Sequence, residues 1–142
     1  MRVRAWSMAC AALAVVMMAG AVARAADDAE TKAATAARAW LAMVDAGKYG
    51  PSWDAAAAMF RSGVTRVSWE RMAAGARGPL GTMRSRELAA AKATSSLPGA
   101  PDGHYVVLQF RTSFEHKAAA TETVTMVLEG DGVWRTTGYF IR

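Results

Sequence analysis

Apolar and polar residues alternate most clearly in the last forty positions. Val106, Leu108, Phe110 and Phe114 fall on one face of an extended segment, with Tyr105, Gln109, Arg111 and Ser113 on the other. Val124, Met126 and Leu128 form the apolar face of a second segment, opposite Thr121, Thr123 and Thr125. Both runs are rich in β-branched and aromatic residues, and so is a third from Val133 to Arg142. They predict consecutive strands of an antiparallel meander. Gly130-Asp131-Gly132 reads as a three-residue hairpin loop with Gly132 left-handed, which pairs Glu129 with Val133. The same register sets Leu128 opposite Trp134, Met126 opposite Thr136 and Val124 opposite Gly138.

Upstream the period is helical. Ala33, Ala36, Ala37, Trp40, Leu41 and Val44 make one stripe of a helix over 27–46, with acidic residues in its first turn and Gly47 as its stop. Pro51 suits the first position of a second helix through Ser52–Phe60, with Trp53, Ala56, Ala57 and Phe60 on one face; Gly63 breaks it. A third helix starts from Thr65 as N-cap, presents Trp69, Met72, Ala73 and Ala76, and stops before Pro79. Thr82–Thr94 alternates loosely and reads as the first strand, although Ala89, Ala90 and Ala91 would equally continue a helix. The predicted fold is α+β: three N-terminal helices packed on a curved four-stranded antiparallel sheet, an order shared by cystatin-like and nuclear-transport-factor-2-like architectures.

The N-terminus changes the domain boundaries. Arg2 and Arg4 precede an apolar run, Trp6–Val22, which ends at Ala23-Arg24-Ala25, the pattern of a secretory signal cut after Ala25. The run is short and Ala-rich for a spanning helix, which needs about 20 strongly apolar residues. The expected organisation is a cleaved leader over 1–25 and one domain over 26–142, exported to the periplasm or medium. Cys10, the only cysteine, leaves with the leader, so the mature domain is expected to have no disulfide. Taking Arg2, Arg4 and Arg24 from the 17 basic residues leaves 14 against 12 acidic ones, a net of +2. That is no nucleic-acid footprint.

Candidate chemistry is sparse. His104 and His116 have no ligand partner at metal spacing; Glu115, beside His116, points elsewhere in an extended chain, and no cofactor or metal is implied. Asp54, beside Trp53, is the best placed general base, against the plainer reading of a helix-terminal acid. Arg84 and Arg86 are two apart, which on a regular strand puts both on one face about 7 Å from each other. With Arg77 across the Gly78–Gly81 turn they form a candidate grip for a carboxylate or phosphate, or else a solvated cationic face. Trp40, Trp53, Trp69 and Trp134 lie on the apolar faces, as core or as the lining of a pocket. The candidate ligand contacts are therefore Arg77, Arg84, Arg86 and Trp53. The leading expectation is a non-catalytic module binding a protein partner or small ligand. The alternative is a proton-transfer enzyme with its site near Trp53, Asp54 and Arg86.

One resemblance spans nearly the whole mature chain. Ala39-Trp40-Leu41, Val44-Asp45-Ala46-Gly47, Tyr49, Ser52-Trp53, Phe60 and Trp69 resemble the bacterial domain-of-unknown-function family 4019. Arg77–Gly81, Ser85-Arg86, the Leu97–Gly103 loop, Val107–Phe110, Glu122–Thr125, Asp131-Gly132, Trp134-Arg135, Gly138-Tyr139 and Ile141-Arg142 continue it. The resemblance implies an exported single-domain protein and implies no activity.

Overall fold

The computed structural model describes residues 9–142, with side chains from Met18 onward. The basic start of the expected leader, Arg2 and Arg4, lies outside the described residues. Four helices precede four strands: α1 (Ala9–Asp45), α2 (Tyr49–Asp54), α3 (Ala58–Gly63), α4 (Arg66–Arg77), β1 (Met83–Thr94), β2 (Tyr105–Phe114), β3 (Lys117–Leu128) and β4 (Trp134–Ile141). A short 3-10 turn, Gly78–Leu80, links α4 to β1. The strands form one antiparallel sheet in the order β1-β2-β3-β4. Among the described residues no helix is long and apolar enough to cross a membrane.

The core lies between α1 and the inner face of the sheet. Ala33, Ala37, Trp40, Leu41 and Val44 meet Val106, Leu108, Phe110, Val124 and Met126, all buried. Small alanines on the helix bring its axis close to the strands, while the larger residues fill the space beyond them. The helix ends as a Schellman motif: Lys48 N–H donates to Met43 O and Gly47 N–H to Val44 O, with Gly47 at φ +72°. It begins earlier than the expected residue 27, because the alanine-rich stretch before it is itself strongly helix-forming. Asp27, Asp28 and Glu30 are thus interior to α1 rather than in its first turn. Residues 18–25 are exposed, and Ala26 is the first to be half-buried.

Three expectations are corrected by tertiary contacts. The second helix starts at Tyr49, ahead of Pro51, and splits after Asp54 into α2 and α3. Ala57 is extended there (φ −62°, ψ 152°), its N–H donates to Thr136 O on the β4 edge, and Ala58 N–H donates to Glu129 Oε2. Those bonds to the sheet replace the helical ones that four alanines would otherwise favour. In α4, Thr65 does cap the helix by accepting from Ser68 N–H, but the buried face is Trp69, Ala73 and Arg77, whereas Met72 and Ala76 face solvent. In the last hairpin Glu129 pairs with Val133, Leu128 with Trp134 and Met126 with Thr136, and Gly132 has φ +79°. A bulge at Thr137 then shifts the register, so Val124 faces Tyr139 instead of Gly138. That one-residue shift turns Tyr139 into the core.

On the outer face, Tyr105 is buried rather than exposed. Its hydroxyl donates to Pro101 O, and Leu97, Ala100, Ala57 and Val127 pack around the ring.

Candidate functional site: a buried charge cluster inside the sheet

Alternation along β3 puts Glu122 on the inner face with Ala120, Val124 and Met126, where it is 0% exposed. A carboxylate there must be paired. Glu122 Oε1 accepts from Arg86 Nε at 2.8 Å and from Thr112 Oγ1 at 2.5 Å, and Oε2 accepts from the Tyr139 hydroxyl. Arg86 turns its other two nitrogens to Asp45 at the end of α1: Nη1 to Oδ2 at 2.7 Å and Nη2 to Oδ1 at 2.9 Å. Arg77, closing the buried face of α4, adds Nη2 to Asp45 Oδ1 at 2.7 Å. Two guanidiniums and two carboxylates therefore balance in charge, and α1, α4 and all four strands each contribute one member.

Every carboxylate oxygen of the cluster accepts at least one hydrogen bond. Burial alone would raise the Asp45 carboxyl, but the hydrogen bonds from Arg86 and Arg77 outweigh it and hold it below the usual carboxylate range. Burial, and then the Glu122 carboxylate, push the Tyr139 phenol up, so it stays protonated and donates to Glu122. Burial opposes the Arg86 charge, yet the bonds to Asp45 and Glu122 leave its guanidinium more firmly protonated than usual. Arg77 is the one incompletely satisfied member: its Nε and Nη1 find no partner, and its Cζ lies 4.7 Å from the Phe114 ring centroid, a cation–π contact.

Tyr139 joins this cluster to an aromatic one. Its ring lies 5.4 Å from Trp40 and 6.3 Å from Trp69, both edge-on, and Phe60 meets Trp69 at 5.1 Å. Buried Ser52 satisfies both indoles: Trp40 Nε1 donates to Ser52 O and Trp69 Nε1 to Ser52 Oγ, each at 2.9 Å.

The residues singled out from the sequence separate into two groups. Arg77 and Arg86 converge, and the carboxylate they grip is the chain's own Asp45. Arg84 does not join them: it is the extra residue of a bulge between Met83 and Ser85 and is exposed while Arg86 turns inward. Trp53 is half-buried, its Nε1 donating to Val64 O at 2.8 Å. Asp54 is exposed at the end of α2 and sits 3.4 Å from Arg66 Nη2. Trp134 packs half-buried against the core. His116 lies 3.6 Å from Glu115, because the two form a tight turn instead of an extended chain. Among the described residues no three His, Cys, Asp or Glu side chains converge as a metal site requires.

Sequence reasoning missed Glu122, Asp45, Tyr139 and Ser52. The signal for Glu122 was present, since two-residue counting from Val124 reaches it. Tyr139 was hidden by the bulge.

The family model described as protein of unknown function (DUF4019) matches residues 36–139. The chain belongs to this family. The matched span of this DUF4019 protein contains every member of the charge cluster, from Asp45 to Tyr139. A comparison with curated proteins finds no match.

Proposed function

We propose that this DUF4019 protein is an exported, non-catalytic module that works by binding, with a cone-shaped interior of the cystatin-like or nuclear-transport-factor-2-like kind given over to structure. The observation that carries the reading is the saturation of the interior. A general base needs a free lone pair aimed at a substrate proton, and the oxygens of Asp45 and Glu122 are already engaged by Arg77, Arg86, Thr112 and Tyr139. Asp54, the base of the enzymatic alternative, is on the surface against Arg66. Binding of a protein partner or small ligand then falls to the outside of the molecule.

Support for export comes from α1. Met18 and Val22 are 73% and 70% exposed on a helical extension that the domain does not cover, and packing starts at Ala26, beside the Ala23-Arg24-Ala25 motif. An apolar helix left in water is costly, and removal of residues 1–25 relieves that cost. The test is expression of the full chain with a C-terminal tag in a Gram-negative host, followed by fractionation and intact-mass analysis. The expected product is periplasmic or secreted and begins at Ala26. An unprocessed chain retained in the cytosol would defeat the export reading.

A further inference from the structure

The outer face of the sheet carries a polar row that the buried cluster does not use. Glu87 on β1 lies opposite Arg111 on β2, and Arg111 lies opposite Thr121 on β3. Thr121 exchanges both backbone hydrogen bonds with Arg142, at 2.9 and 3.1 Å. One rung thus sets two arginines on either side of a hydroxyl, their backbones two strand spacings, about 10 Å, apart. These four residues and Ser113 line a groove of about 480 Å³.

Both arginines are exposed, and neither takes part in an ion pair among the described residues, unlike Arg66, Arg77, Arg86 and Arg135. Glu87, although across from Arg111, is likewise in no ion pair among the described residues. Phe140 is on the same outer face, opposite Thr123 on the next rung, 56% exposed, with the Arg142 Cζ 5.6 Å from its ring centroid. Forked donors and hydroxyls in one shallow groove, with an exposed ring beside it, are the parts of an oxyanion site with an apolar shoulder.

We propose that this row binds the oxyanion of a small ligand, a carboxylate or a phosphate, seated over Thr121 between Arg111 and Arg142. The ring or carbon skeleton of the ligand lies against Phe140. Glu87 repels excess negative charge from the β1 side, so it favours a ligand that turns hydroxyl or amino groups that way, as an acidic sugar does. The inference rests on the reading of the protein as a binding module and names the ligand class for it.

The test is an amide NMR titration of the purified protein at low ionic strength with inorganic phosphate and, separately, with glucuronate. The expected result is saturable shifts centred on Arg111, Thr121 and Arg142 that added salt suppresses. Arg111→Ala is expected to weaken binding about tenfold, the loss of one charge-assisted hydrogen bond, and its spectrum reports whether the fold is kept. Glu87→Gln is expected to tighten phosphate binding. Tighter binding of glucuronate assigns the site to a sugar acid, and tighter binding of phosphate assigns it to a phosphate ester. Shifts scattered over all basic residues, or an Arg111→Ala affinity equal to the parent's, would leave an adventitious ion only and overturn the proposal; so would the absence of any response to both probes. A null titration removes this site and leaves the binding-module reading standing, since that reading rests on the engaged oxygens of Asp45 and Glu122; an Arg86→Ala protein as stable as the parent removes that reading without touching the titration.

Discussion

A carboxylate at 0% exposure survives only where its partners are fixed, and Glu122 shows how narrow that condition is. Tyr139→Phe removes the donor to Oε2 while keeping the ring between Trp40 and Trp69. The expected cost is about 1–3 kcal/mol, the cost of leaving a buried acceptor unpaired, read from urea unfolding midpoints. Arg84→Ala is expected to shift the same midpoint by less than about 0.5 kcal/mol, because Arg84 is exposed on its bulge. Asp45 supplies a pH signature. Its folded pKa is depressed, so its contribution to stability is present above the unfolded value of about 3.9 and is lost as pH falls through the folded value. Unfolding midpoints followed from pH 6 downward are expected to fall through that acid window, and Asp45→Asn is expected to flatten the decline.

At the scale of elements, the local signals with a single physical cause were the readable ones. The β-meander, the Thr65 cap, the left-handed Gly132 and the first three pairings of the last hairpin follow from period and turn chemistry, and the structure has them. Thr65→Ala is expected to cost about 1 kcal/mol through the lost cap, measured by thermal unfolding. What was not legible depends on contacts between distant parts. The break between α2 and α3 is made by Thr136 O and Glu129 reaching Ala57 and Ala58, and a run of alanines contains no trace of either. The bulges at Arg84 and Thr137 likewise decide which side chains turn inward; β1 has no glycine to mark the first, and Gly138 beside Thr137 marks an irregularity without saying which residue is the extra one. For the candidate site, two of four named residues, Arg77 and Arg86, lie in the buried cluster; their carboxylate partners come from other elements, 32 to 41 positions away.

Across the whole molecule, Arg86 is the node. Through Asp45 it holds the end of α1 and, with Arg77, the end of α4; through Glu122 it reaches β3, Thr112 on β2 and Tyr139 on β4. On the proposed reading, the interior serves stability and ligand chemistry falls to the outer face. Buried ion pairs are often no more stabilising than well-packed apolar groups, but removing one partner strands the others as uncompensated charge. The most direct measurement is equilibrium urea unfolding of Arg86→Ala beside the parent protein. The expected result is a loss of about 3–5 kcal/mol. An Arg86→Ala protein as stable as the parent would contradict that reading and return Arg86 to the candidates for ligand binding between the helices and the sheet.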